Sequence, residues 1–247
     1  MSTTWDDVAR DMALQELHDE AVMKQATREQ CIFLFVEGDS EERAIPELLY
    51  KTVDFESLGI QIANYNGRGN LPAMLRMLNL TLSFDRPIVL TYDNDPESIK
   101  SIQTCRKQGL INNLVYEFPV PNIPVLTYPA GHAGGSFEES FSPDEFLDSV
   151  FHETIMPEQI RSQLKEFQDL FDVSKPWFKQ LQRFCADRGF PEIREKKVVI
   201  AELLAANITE QPSTYVALAK LLHKVRAKHP VKHPDDVILP KIPGLTA

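Results

Sequence analysis

Residues 31–41 read Cys31-Ile32-Phe33-Leu34-Phe35-Val36-Glu37-Gly38-Asp39-Ser40-Glu41. Six apolar, β-prone side chains in a row end in an acidic turn. An unbroken run of that length fits a strand buried on both faces, as in a parallel sheet covered by helices. The next stretch, 40–53, is helical in pattern, with Ser40 as the expected N-cap and Pro46 as an irregularity. The same order then repeats. A strand over 60–65 runs into Asn66-Gly67-Arg68-Gly69-Asn70 and a helix over 71–82. A strand over 87–92 runs into Asp93-Asn94-Asp95-Pro96 and a helix over 99–109. Short strands are expected over 113–118 and 124–126. This alternation predicts an α/β fold with a parallel, doubly wound sheet flanked by helices.

Working outward, 5–29 reads as an amphipathic helix carrying Met12, Leu14, Leu17, Val22 and Met23 with acids between. Beyond Phe141 the pattern is helical over 142–155, 157–171, 175–187, 197–207 and 214–228, and the proline-containing tail, 229–247, is expected to be extended. Three segments follow: an N-terminal helical segment (1–30), an α/β core (31–141) and a helical C-terminal region with a basic tail (142–247).

The chain has 247 residues, 36 Asp+Glu against 26 Lys+Arg, and a formal charge of −10. Residues 1–30 carry −4, residues 31–141 carry −6, and residues 142–247 are neutral. That balance argues against a nonspecific basic coat for nucleic acid. It leaves open an enzyme that holds nucleic acid through metal ions, with phosphate contacts from the C-terminal part. No run nears the ~18 apolar residues of a membrane span. The acidic start lacks a signal-peptide pattern, so a cytoplasmic location and no membrane partner are expected. Cys31, Cys105 and Cys185 lie far apart and read as packing residues.

The acids carry the chemistry. Glu37 and Glu41 follow the first strand and Asp93 and Asp95 the third, so in a parallel sheet all four fall at the edge where doubly wound folds place their sites. Asp93 and Asp95 share a side if the strand continues that far. Converging carboxylates repel unless cations neutralise them. Hard oxygen ligands suit Mg²⁺ or Mn²⁺, and two such ions can drive phosphodiester cleavage. Gly67, Gly69 and Asn70 read either as a turn needing positive φ or as a loop whose amides approach phosphate. His132, in a glycine-rich loop before Glu138, reads as a solvated loop histidine, with contact to substrate as the alternative.

Glu37-Gly38 after one apolar strand and Asp93-x-Asp95 after another resemble the Toprim domain. The closer resemblance is to the OLD (overcoming lysogenization defect) nucleases. It rests on Glu37-Gly38-Asp39-Ser40-Glu41, Pro46-Glu47-Leu48-Leu49, Asn66-Gly67-Arg68-Gly69-Asn70 and Lys197-Val198-Val199-Ile200-Ala201. The resemblance implies a metal-dependent endonuclease using two Mg²⁺ or Mn²⁺ ions. It assigns Glu37, Glu41, Asp93 and Asp95 as ligands, Glu37 also as general base, and Lys197, rather than Lys196, as the cation for transition-state charge. A further acid is expected in the 135–141 segment, with Glu138 favoured over Glu139. OLD proteins normally carry an ABC-type ATPase, and the chain shows no phosphate-loop signature. A separate Toprim subunit acting with an ATPase on another chain is therefore implied, as are a homodimer and a role in antiphage defence. DNA and RNA both remain open as substrates, and a non-catalytic subunit that docks the ATPase is the rival reading.

Overall fold

The computed structural model describes residues 5–81, 86–129 and 131–236. Residue 82, expected to end a helix, and residues 237–247 of the expected extended tail lie outside the described residues. Four strands form the main sheet: β1 (Ile32–Val36), β2 (Ile60–Asn64), β3 (Ile88–Asp93) and β4 (Val115–Val120). All pairs are parallel, in the order β2-β1-β3-β4. The chain leaves β1 for β2 on one side and returns to β3 on the other, with Phe35 level with Leu90. The topological switch point therefore lies between the C-terminal ends of β1 and β3, where such sheets open a crevice.

The apolar run of β1 divides with period two. Ile32, Leu34 and Val36 point to one face and Phe35 to the other. The second face is covered by α3 (Leu71–Thr81) and α4 (Pro96–Lys107), through Leu71, Leu75, Ile102 and Cys105. The first face packs against α2 (Asp39–Leu49) and the helical second half in one continuous core. That half comprises α5 (Pro143–Val150), α6 (Glu158–Arg161), α7 (Leu164–Leu170), α8 (Trp177–Ala186), α9 (Lys197–Ala206) and α10 (Ser213–Lys228). α9 lies along α2, burying Ile200, Ala201 and Leu204 against Ala44, Ile45 and Leu48.

Several expectations are corrected. α2 starts at Asp39 with Gly38 as N-cap, and Ser40 is buried inside the first turn, so it does not cap. Pro46 sits within α2 and the helix continues through it, giving up one amide donor. β4 begins at Val115 and runs through Pro119, tolerated because β4 is an edge strand. The expected strand at 124–126 becomes β5 (Leu126–Thr127), which pairs antiparallel with an unanticipated β6 (Ala133–Gly134). The helix expected over 157–171 breaks into α6 and α7. There the Ser162 hydroxyl and the Gln163 amide both donate to the Gln159 carbonyl, competing with the helical ladder. α1 (Trp5–Glu29) forms as expected, with Met12, Leu14 and Leu17 exposed and Ala26 buried. Cys31, Cys105 and Cys185 are free and buried.

Candidate metal centre

The site forms at the C-terminal edge of β1 and β3. Glu37 emerges directly after β1. Its Oε2 accepts from the Asp93 amide at 3.4 Å and the Ser98 hydroxyl at 3.5 Å. The Gly67 amide donates to the Glu37 carbonyl at 2.7 Å, so the glycine loop is tied to the backbone beneath that carboxylate. Gly67 holds φ +87°, a conformation that glycine adopts without strain. The Asn70 side chain donates to the Asn66 carbonyl at 2.7 Å, and Gly69 faces open space. The loop is thus a turn with a positive-φ requirement, lying next to Glu37. The Gly67 amide and the Asn70 side chain are both spent on internal bonds.

Glu41 lies in the first turn of α2 and is 8% exposed. Burial pushes its carboxyl up to about 7, and the charges of Glu37 and Glu138 add to the rise while Lys197 opposes it. Asp93 ends β3. Burial, then the charges of Glu41, Glu37 and Glu138, hold its carboxyl well above the usual carboxylate range. Its Oδ1 is buried with no hydrogen-bond partner. An orphaned carboxylate oxygen at that depth is costly.

Glu138 is carried by a 3₁₀ turn, Phe137–Ser140, whose Phe137 is anchored in the core. It is buried, accepts from the Ser136 hydroxyl at 2.8 Å, and its Oε1 lies 3.5 Å from the Lys197 ammonium. Glu139 shares the Ser136 hydroxyl with Glu138. It completes a capping box with Ser136 and accepts the Trp177 amide at 2.8 Å, at the start of α8. Lys197 opens α9, half-exposed, and its ammonium also sits over the Phe178 ring. Glu138 is the main cause of its raised pKa, which burial opposes and Asp93 and Glu41 reinforce. The ion pair with Glu138 is made by Lys197 and not by the adjacent Lys196.

Glu37, Glu41, Asp93, Glu138 and Lys197 are therefore brought to one place. Asp95 stands apart. The strand ends at Asp93, so the two aspartates do not share a strand face. Asp95 instead caps α4, its Oδ1 accepting the Ser98 amide at 2.6 Å and its Oδ2 lying 4.0 Å from Arg68.

Sequence reasoning missed the polar support. Asn94 is buried between the two aspartates and donates to the Pro121 carbonyl at 3.3 Å. His132 is not a free loop side chain, since its Nε2 lies 3.2 Å from both the carbonyl and the side-chain oxygen of Asn94. Tyr215 is buried, and burial, then the charge of Glu41, raise its hydroxyl while the Ser140 hydroxyl beside it opposes the rise. The Ser136-x-x-Glu139 spacing was a readable capping signal. Nothing in the local pattern marks Asn94 or His132.

Among the described residues, no group of three His, Cys, Asp or Glu side chains stands as a ready-made metal cage. Two of the acids turn toward protein donors, Glu37 to Ser98 and Glu138 to Ser136 and Lys197. The donor set still fits a hard divalent cation. It is all oxygen, largely buried, internally repulsive, and leaves Asp93 Oδ1 unsatisfied.

Residues 32–95 match the domain described as overcoming lysogenization defect protein-like, TOPRIM domain. No curated protein matches the chain. Among solved structures, the chain is similar to the C-terminal region of the Burkholderia pseudomallei OLD protein, at 16% identity and a TM-score of 0.51, covering 78% of this chain and 96% of that one. It is also similar to the C-terminal region of the Xanthomonas campestris pv. campestris OLD protein, at 16% identity and a TM-score of 0.50, covering 80% and 97%. These likenesses concern the fold. Among the described residues, no helix is long and apolar enough to cross a membrane. The parallel sheet and the acids at its switch point agree with the domain match, so residues 32–95 form an OLD-like Toprim domain.

Proposed function

We propose that this protein is a divalent-metal-dependent nuclease that hydrolyses phosphodiester bonds in nucleic acid. The observation that carries the reading is the buried cluster of Glu37, Glu41, Asp93 and Glu138, with Asp93 Oδ1 orphaned and Lys197 beside it. Residues 31–141 act as the catalytic core in this reading, and residues 142–247 contribute Lys197, while residues 1–30 form a separate helical segment. Glu37, Glu41, Asp93, Asp95 and Glu138 would hold two Mg²⁺ or Mn²⁺ ions, Asp95 through its Oδ2 while Oδ1 caps α4. Metal bound there supplies Lewis-acid polarisation and neutralises charge on the transferring phosphoryl group. Glu37, held only by long hydrogen bonds, takes the proton from the attacking water. Lys197 places fixed positive charge against the phosphoryl oxygens as negative charge spreads over them. Gly67, Gly69 and Asn70 border the site and meet the substrate backbone by shape.

We further infer that the protein acts with an ATPase on a separate chain, as the nuclease of an antiphage system. The OLD-like domain supports this, as does the acidic helix α1, which exposes Met12, Leu14 and Leu17. The assembly is read as a cytoplasmic homodimer. The experiment is cleavage of plasmid, linear duplex and total RNA by the purified chain, alone and with the neighbouring gene product, in Mn²⁺ and in EDTA. Metal-dependent cleavage lost in Glu37→Ala and Asp93→Ala is expected, and the preferred substrate separates DNA from RNA. Full activity in either variant overturns the two-metal assignment. A wild type that binds metal and partner but cuts nothing favours a binding subunit.

A further inference from the structure

The β5–β6 hairpin lies backbone-on-backbone against the turn between Asp93 and Asp95. A Cβ placed on Gly134 would stand 1.7 Å from the Asn94 carbonyl oxygen, a clash with main chain that no side-chain movement relieves. That carbonyl accepts the Gly135 amide at 3.0 Å, while the Asn94 amide donates to the Val120 carbonyl at 2.8 Å. His132 closes the contact, with its Nε2 at 3.2 Å from the Asn94 carbonyl and at 3.2 Å from its Oδ1. The Asn94 Nδ2 donates to Pro121, which fixes Oδ1 toward the imidazole. Both atoms facing Nε2 are acceptors, so Nε2 is the donor in this contact. The Tyr128 ring, 6.0 Å away and tilted by 30°, backs the imidazole. Two residues beyond Gly134 the chain reaches Ser136, which holds both Glu138 and Glu139. The hairpin therefore links the aspartate turn to the turn that carries Glu138.

We propose that His132 is a positioning residue that clamps the Asp93–Asn94–Asp95 turn against the β5–β6 hairpin, fixing Asp93 and Glu138 relative to each other for metal binding. The inference rests on the metal-site reading above. It is the logic of an outer shell, in which a donor orients a ligand it does not replace.

The test is calorimetric titration of the full chain with Mn²⁺, alongside the melting temperature in EDTA, for wild type, His132→Ala, His132→Gln and Gly134→Ala. His132→Ala is expected to weaken Mn²⁺ binding about tenfold while its melting temperature in EDTA stays near wild type. His132→Gln, which keeps an N–H donor at similar reach, is expected to recover most of that affinity. Gly134→Ala, which forces the hairpin off the turn, is expected to lose at least as much affinity as His132→Ala. Wild-type affinity in His132→Ala overturns the clamp alone. Lower stability in EDTA without rescue by glutamine also overturns it, reducing the contact to packing. Absence of Mn²⁺ binding in the wild type overturns the metal reading and the clamp with it.

Discussion

Glu41→Gln should make the metal-free protein more stable at pH 8, although it removes a proposed metal ligand. Glu41 is 8% exposed and shares its surroundings with Glu37 and Glu138. Its carboxyl rises from the ordinary 4.5 to about 7. A carboxyl with a raised folded pKa binds its proton more tightly when folded. The folded state therefore loses stability as pH rises from about 4.5 to about 7, and the full cost stands above that window. At about 1.4 kcal/mol for each tenfold in proton affinity, the ionised form costs about 3 kcal/mol at pH 8. Neutral glutamine relieves it, which for a chain of this size corresponds to a melting temperature higher by roughly 6–12 °C. At pH 5 wild-type Glu41 is already protonated in the folded state, and most of the difference should vanish. Mn²⁺ at about a thousandfold its Kd should reverse the order, because binding then stabilises wild type by about 4.1 kcal/mol, more than the deficit of about 3 kcal/mol. The assay is thermal melting at pH 5 and pH 8, in EDTA and in Mn²⁺. A variant no more stable than wild type at pH 8 in EDTA, or one equally stabilised at both pH values, refutes the reasoning.

Lys197→Met should abolish cleavage and lower stability in EDTA by about 1–3 kcal/mol by leaving Glu138 buried beside an apolar side chain, and adding Glu138→Gln should restore part of it in a double-mutant cycle. Glu139→Ala should cost about 1–2 kcal/mol in urea unfolding through the lost bonds to Ser136 and the Trp177 amide, and should reduce Mn²⁺ affinity less than Glu138→Ala does. Gly67→Ala places a Cβ at φ +87° and should destabilise by about 1–2 kcal/mol in the same measurement, although space around it is open.

The sheet was legible because its signals are local. An apolar run such as 31–36 needs no partner to declare itself, and its acidic end falls at the switch point by topology alone. Glu37, Glu41 and Asp93 could be placed for that reason. Lys197 could not be placed by pattern; it reaches the site through packing of α9 on α2, a contact between segments some 150 residues apart in sequence that only resemblance foreshadowed. The same limit hid Asn94 and His132, which meet across 38 residues. Asp95 carries a local role that the acid pattern did not register, since an aspartate directly before a proline-initiated helix is a strong N-cap and its Oδ1 caps α4. The break between α6 and α7 arose from hydroxyl and amide side chains competing for one carbonyl, which apolar periodicity does not register.

The central claim is that the acids at the ends of β1 and β3 form a divalent-metal site. Calorimetric titration of the purified chain with Mn²⁺ at pH 8, against Asp93→Asn, tests it most directly. The expected result is saturable binding of two ions by the wild type and loss of at least one in Asp93→Asn, with both proteins folded in EDTA. Wild-type protein that takes up no Mn²⁺, or an Asp93→Asn variant that binds as wild type does, would contradict it.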